Sequence, residues 1–195
     1  AMGDPALLGL PPLPQRAGGD LIDWPGAMPQ RQADLRAVFA GLPPALRQRI
    51  RAESAADGAA LLRHALYDAL DCRFRAQGAD GWQMWPAALH DPDGTAAQTF
   101  ARENAEEVEF HLFTQWLARE GLAMVQARAK AAGMKIGLVA DLAVGVHTGG
   151  SDSWAMRDAL LQGLTIGAPP DPLGPLGQNW MLTSYSPRGL RETGF

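Results

Sequence analysis

A short stretch in the last third of the chain carries the side chains best suited to chemistry on a polar ligand. Asp141 closes an apolar run, and Asp171, Gln178 and Trp180 follow it in a loop-rich region. Carboxylates and amides hydrogen-bond to hydroxyl groups, and an indole ring offers a flat apolar face to the CH-rich side of a sugar ring. These residue types in this order predict a carbohydrate-binding site.

The loop that carries Asp171 is stiff. Its sequence, "APPDPLGPLGQNW", places Pro169, Pro170, Pro172 and Pro175 close together, and each proline fixes φ. A loop restricted in this way loses less conformational entropy when it closes over a ligand. The spacing therefore predicts a preorganised ligand-contacting loop.

An uninterrupted apolar run precedes Asp141. Ile136–Ala140 contains no charge and is bounded by Lys135 and Asp141, a pattern typical of a parallel strand covered on both faces. A long helical pattern over residues 95–132 leads into it, which predicts half of a βαβ unit. In (β/α) barrels the chemistry lies at the carboxyl ends of strands, where Asp141 would stand. Periodicity alone predicts no more than a mixed α/β fold.

Helical patterns dominate the rest of the chain. Apolar spacing predicts a helix from Arg31 to Gly41, a second over residues 45–53, and a third in which Asp57 is the N-cap and a stripe from Leu61 to Phe74 faces the core. Gly121 is expected to divide the 95–132 pattern into two helices, because Gly costs about 1 kcal/mol relative to Ala inside a helix.

Composition excludes several classes of function. The chain has 195 residues, 47% of them apolar, and its 17 basic and 21 acidic residues give a net charge of −4 without a basic cluster, so nucleic acid is not expected as a partner. Cys72 is the sole cysteine, so no internal disulfide and no thiolate metal site is expected, and no cofactor is predicted. No secretory signal or membrane-length apolar run is found, which favours a cytoplasmic protein that does not enter a membrane.

A pair of tryptophans and one histidine each allow more than one interpretation. Trp82 and Trp85 lie three residues apart and either stack on a sugar ring or fill a gap in the core, the second being the more common use of such a pair. His147 follows Asp141 in a glycine-bearing loop, which suggests an acid–base or a metal-binding role, but no third ligand accompanies them to complete a metal site. No metal is predicted.

Three segments resemble one enzyme family. "VEFHLFTQWLA", "IGLVADLAVGV" and "SDSWAMRDALLQGLTIGAPPDPLGPLGQNW" are similar to amylomaltases, the 4-α-glucanotransferases that exchange segments between malto-oligosaccharides. The resemblance implies a TIM-type barrel with inserted helices and a malto-oligosaccharide or a glycogen- or starch-derived glucan as substrate. It also implies that Asp141 hydrogen-bonds substrate near the cleavage point, and that Asp171, Gln178 and Trp180 belong to the loop lining the acceptor side.

The sequence also differs from the family pattern at several positions. Val139 and Ala140 stand where relatives have an aromatic residue and an arginine, and Pro172 and Leu173 replace aromatic residues of the loop. The family's nucleophile lies in an "Arg-Ile-Asp-His" strand that this sequence lacks, and its acid/base glutamate lies later still. The resemblance therefore implies a partial barrel, truncated before it closes, and a chain that is inactive on its own. The alternative is a non-catalytic carbohydrate-binding or regulatory protein derived from that family.

The expected organisation has three segments. Residues 1–30 form an extended Pro- and Gly-rich arm, residues 31–93 a helical subdomain with an aromatic loop, and residues 94–195 a partial (β/α) barrel segment with the substrate-binding loop. The central expectation is geometric: Asp141, Asp171, Gln178 and Trp180 converge around one groove shaped for glucose units.

Overall fold

The computed structural model describes residues 5–15 and 21–194 and divides them into two compact units. One unit comprises the described residues up to Gly58 together with Glu109–Ala140, and the other comprises Ala59–Val108 together with the described residues from Asp141 onward. Seven α-helices are described: α1 (Trp24–Ala40), α2 (Pro44–Ala56), α3 (Ala59–Arg75), α4 (Thr95–Glu103), α5 (Ala105–Ala131), α6 (Ser151–Ala155) and α7 (Pro187–Thr193). Short 3₁₀ turns lie at Pro5–Leu8, Trp82–Met84, Ala87–Leu89 and Arg157–Ala159.

The first unit is built on helices α1 and α2 and the part of α5 from Glu109 onward. Phe39 of α1 packs against Phe110 and Phe113 of α5, with ring centroids 5.7 and 5.6 Å apart. The Arg47 guanidinium lies over the Phe39 ring, 4.1 Å from its centroid, within the range of a cation–π interaction. The buried residues around this cluster are Leu13, Val38, Leu42, Ile50, Trp116 and Leu117.

Helix α1 begins earlier than the sequence predicts. It starts at Trp24, and Asp23 caps it by accepting a hydrogen bond from the Gly26 N–H. Pro25 lies in the first turn, where its missing N–H costs nothing, and Pro29 is accommodated one turn further on. Residues 24–30 of the predicted extended arm are therefore helical, while residues 1–4 and 16–20 of that arm lie outside the described residues.

The second unit surrounds a tryptophan cluster. Trp82, Trp85 and Trp154 pack with Tyr67, and Trp154 is fully buried with its indole N–H donating to the Leu89 carbonyl at 2.9 Å. Trp82 donates to the Ser153 hydroxyl at 2.9 Å. Burial raises the pKa of the Tyr67 phenol, which donates its own hydrogen bond to the Gly149 carbonyl. The core interpretation of the Trp82 and Trp85 pair is thus confirmed, and sugar stacking by these two rings is excluded by their burial.

A small antiparallel sheet completes the second unit. Strands β1 (Val146–His147), β2 (Ile166–Ala168) and β3 (Gln178–Thr183) are ordered β1-β3-β2. Val146 pairs with Thr183, and Ala168 pairs with Gln178. The central strand β3 therefore carries two of the residues predicted to bind ligand.

The predicted parallel strand at Ile136–Ala140 is not formed. These residues have no regular secondary structure, and Val139 is 82% exposed. A strand in the interior of a parallel sheet obtains its hydrogen bonds from neighbours on both sides. Within residues 5–15 and 21–194 the strands pair only with one another as an antiparallel sheet.

Two predicted helix boundaries are also wrong. The break in the long helical pattern falls at Asn104, whose side chain bonds back to the Phe100 carbonyl at 2.9 Å, while Gly121 is buried within a continuous α5. Asp57 follows α2 as its C-cap and pairs with Arg119 instead of capping α3. No helix in the described residues is both long enough and apolar enough to cross a bilayer.

Two buried indoles provide a matched test of the tryptophan cluster. The Trp154 N–H has an acceptor, whereas the buried Trp85 N–H has none among the described residues. Trp154→Phe removes a hydrogen bond and leaves the Leu89 carbonyl unsatisfied, while Trp85→Phe removes an unpaired donor. We expect Trp154→Phe to lower the free energy of unfolding by about 1–3 kcal/mol more than Trp85→Phe does. Equal losses in urea denaturation would contradict this assignment.

The contacts of the Glu53 carboxylate predict that the first unit loses stability in acid. This carboxylate accepts from Arg49 at 2.6 Å, Trp116 at 2.8 Å and Arg119 at 2.7 Å, and the Arg49 hydrogen bond followed by that of Trp116 lowers the pKa of Glu53. A lowered folded-state pKa adds stability that is fully present above the unfolded value of about 4.3 and is lost as pH falls through the folded value.

Substitution of this glutamate tests the acid sensitivity. Glu53→Gln should reduce the difference between the unfolding free energies measured at pH 6 and pH 3. The control is Glu103→Gln, at an exposed carboxylate without an ion-pair partner among the described residues, which should keep the wild-type difference. A Glu53→Gln chain whose stability falls with acid as steeply as wild type would show that these contacts do not govern the loss.

Candidate functional site

The β2–β3 hairpin holds three of the four predicted site residues. Asp171 lies in the loop between the strands, and Gln178 and Trp180 lie on β3. Two glycines let the hairpin close tightly. A Cβ on Gly167 would stand 1.9 Å from the Gln178 carbonyl oxygen, and Gly177 has φ +67° with its Cβ position 2.7 Å from the Ala168 carbonyl. Side chains at these positions would push the strands apart.

Asp171 organises the loop backbone. Its Oδ1 accepts hydrogen bonds from the N–H groups of Leu173 at 2.8 Å and Gly174 at 2.6 Å, as in an Asx turn. The carboxylate is solvent-exposed, so its second oxygen remains accessible to a ligand. Loop stiffness thus comes from a side-chain turn as well as from the four prolines.

Gln178 and Trp180 form a direct pair. The indole N–H of Trp180 donates to Gln178 Oε1 at 2.7 Å, and the Trp180 residue is 42% exposed. The hydrogen bond fixes the plane of the indole and leaves the Gln178 NH₂ group available as a donor. A fixed indole beside an amide donor is suited to a sugar ring with its hydroxyl groups.

Asp141 is exposed in the irregular segment that follows α5. Among the described residues, no hydrogen bond or ion pair joins it to the other three predicted residues. The structure therefore places all four side chains at the surface of the second unit and joins two of them directly. The single groove predicted from the sequence remains a prediction.

A separate cavity of about 320 Å³ lies beyond the opposite end of β3. Thr183, at the buried end of the strand, contributes to it, and the remaining lining comes from Gln83, Thr148, Ser153, Leu161, Gln162, Gly163, Leu164 and Thr165. The four predicted site residues do not line this cavity. Much of its polar lining already bonds to protein: Gln83 donates to the Thr148 carbonyl and Thr183 to the Leu161 carbonyl, both at 2.6 Å.

The sequence did not predict a Ser-His-Asp cluster, because its serine lies far from the other two residues in the sequence. His64 Nδ1 lies 2.7 Å from the Ser151 hydroxyl, and its Nε2 lies 3.5 Å from Asp68 Oδ2. The only sequence signal was the one-turn spacing of His64 and Asp68. Each ring nitrogen of His64 thus faces a partner on α3 or α6, and the cluster ties the short helix α6 to α3.

Solved structures share this fold. The chain matches the amylomaltase of Corynebacterium glutamicum with a TM-score of 0.65 and 32% identity, over 85% of this chain and 21% of that one. It also matches the amylomaltase of Streptococcus agalactiae solved in complex with acarbose, with a TM-score of 0.75 over 90% of this chain and 37% of that one; at 20% identity this likeness concerns the fold alone.

The sequence comparisons identify the family. A 4-alpha-glucanotransferase family model matches residues 11–195, and the chain belongs to that family. A 4-alpha-glucanotransferase of Mycobacterium tuberculosis is 44% identical over 121 residues, which are 62% of this chain and 17% of the relative. One from Thermus thermophilus is 31% identical over 211 residues, covering 99% of this chain and 41% of the relative. The chain thus spans less than half the length of these relatives.

Proposed function

We propose that this chain is the part of a 4-α-glucanotransferase that holds the acceptor side of an α-1,4-glucan. The observation that carries the proposal is the exposed Trp180 indole, fixed by its 2.7 Å hydrogen bond to Gln178 on a hairpin closed by Gly167 and Gly177. Membership of the family supports a glucan as ligand.

The proposed reaction is a retaining transfer between malto-oligosaccharides. It needs a carboxylate nucleophile and a carboxylic acid about 5 Å apart, acting through a covalent glycosyl intermediate. We assign that pair to sequence outside this chain, since the Arg-Ile-Asp-His motif of the family is absent from its 195 residues. The residues of this chain contribute binding: Gln178 and Trp180 hold the acceptor sugar, Asp171 shapes the loop, and Asp141 hydrogen-bonds the glucan nearer the cleavage point.

We further propose that Ile136–Ala140 is a barrel strand in the complete fold. Its apolar side chains are exposed, as a strand without neighbours would leave them. The Gln126 side chain substitutes for a neighbouring strand: its NH₂ group donates to the Ile136 carbonyl at 3.1 Å, and its Oε1 accepts from the Leu138 N–H at 2.6 Å. This amide bonds two alternate backbone groups, as the peptide of an adjacent strand does.

Calorimetry with maltotriose tests the binding role. Trp180→Ala should weaken binding by about 1 kcal/mol, roughly a factor of five, because the ring contact is lost. Gln178→Ala should weaken it similarly, because the indole loses its fixed orientation. The control is Trp24→Ala, which removes another exposed indole from the first unit and should leave the affinity unchanged. Wild-type chain that does not bind maltotriose would contradict the proposal.

We also expect that this chain has no transferase activity on its own. Incubation with maltotriose should release no glucose and form no longer oligosaccharide above a protein-free blank, because the nucleophile and the acid are not part of the chain. A full-length relative serves as the positive control. Disproportionation by the purified chain would show that its own carboxylates form the catalytic pair.

A further inference from the structure

The middle of β3 departs from regular strand geometry. Ile166 pairs with Leu182, but the next residue of β2, Gly167, pairs with Asn179, so Trp180 and Met181 have no partner on β2. The register with β1 involves only Leu182 and Thr183 of β3. Trp180 and Met181 therefore form a two-residue bulge in the strand that carries the proposed ligand site.

The bulge holds Met181 in a sterically unfavourable backbone conformation. Its φ of 56° makes it the only non-glycine residue with positive φ in the described ranges, and this left-handed conformation brings Cβ close to the following carbonyl. Its side chain is 60% exposed, so burial of the side chain offsets little of this strain. Strain of this kind persists only where surrounding contacts enforce it, and it concentrates at functional positions.

Asn179 supplies one such contact. Its side-chain Oδ1 accepts a hydrogen bond from the Met181 N–H at 2.9 Å, which closes a local turn around Trp180. Gly167 supplies another, because its missing Cβ lets β2 approach the backbone of Gln178 and Asn179. The bulge is thus held from both sides.

The bulge has a direct consequence for the indole. In a regular strand, residues two apart lie about 7 Å along the same face and point in parallel, away from the sheet. Here the chain turns locally at Trp180, and its indole N–H reaches the Gln178 side chain at 2.7 Å. Bulges are a common means of redirecting a side chain beside a binding site.

We propose that Met181 and Asn179 are positioning residues: together they hold the bulge that turns the Trp180 indole onto the Gln178 amide and presents the pair to a glucan. This inference rests on the proposed glucan-binding role of the hairpin. The requirement at position 181 is for backbone conformation, and the requirement at position 179 is for a side-chain acceptor. Neither residue contacts the ligand in this account.

Four variants of the chain separate these requirements. Met181→Gly allows positive φ without strain, whereas Met181→Val strongly disfavours it. Asn179→Asp keeps the side-chain acceptor, whereas Asn179→Ala removes it. Leu173→Ala, at a 98% exposed residue of the same hairpin, is the control for an unrelated truncation.

The first measurement is the indole N–H resonance of Trp180 in ¹⁵N-labelled chain, assigned by comparison with Trp180→Phe. Gln178→Ala marks the position of that resonance without its acceptor. We expect Met181→Gly, Asn179→Asp and Leu173→Ala to keep the wild-type position. In Met181→Val and Asn179→Ala, the Trp180 resonance should move towards its position in Gln178→Ala. Maltotriose affinity should follow the same division, with a roughly fivefold loss in the second pair only.

The two readouts distinguish a positioning role from a structural one. Met181→Val or Asn179→Ala chains that melt at lower temperature but keep the wild-type resonance and affinity would overturn the proposal. A Met181→Gly chain that loses both the wild-type resonance position and the wild-type affinity would also overturn the proposal. If wild type fails to bind maltotriose, the proposed function fails, while the resonances still decide whether these residues orient the indole.

Discussion

The buried Trp154 indole is the contact on which the arrangement of the second unit depends. Helix α6 has five residues, too few to be stable alone, and it is held in place by Trp154 packing against Trp85 and Tyr67 and bonding to the Leu89 carbonyl. Strand β1 enters α6 through a turn in which the Gly150 N–H donates to the His147 carbonyl at 3.0 Å. Since β1 pairs with β3, fixing α6 also fixes the strand that bears Gln178 and Trp180.

A second constraint acts at the far end of the sheet. The hairpin places backbone against backbone at Gly167 and Gly177, and Asp171 ties the intervening loop to itself. The loop therefore has little freedom to lose when it meets a ligand, and a preorganised loop binds with a smaller entropic cost. Strain at Met181 is concentrated within the same hairpin, beside the indole that we assign to sugar binding.

Some of this structure could be read from the sequence. The Gly41 to Pro44 helix break, the helix stripe through Leu66 and Leu70, and the core role of Trp82 and Trp85 follow from local pattern and are confirmed. The family was predicted from motifs around Asp171 and Trp180 and is confirmed. Local pattern was enough in these cases because the decisive contacts are short-range or depend on residue type alone.

Other features could not be read from the sequence because they depend on pairing partners. The apolar run at Ile136–Ala140 has the composition of a strand, but a strand exists only where a neighbour supplies hydrogen bonds, and in the described residues a glutamine side chain takes that place. The bulge at Trp180 and Met181 arises from a register shift against β2, which no single segment encodes. Ser151, the partner of His64 Nδ1, lies 87 positions away.

A crystal structure of this chain with a malto-oligosaccharide tests the central claim most directly. The account predicts a glucose ring against the exposed face of Trp180, with a hydroxyl group within hydrogen-bonding distance of the Gln178 amide. A sugar bound instead in the cavity lined by Thr148 and Thr183, with the hairpin empty, would contradict it.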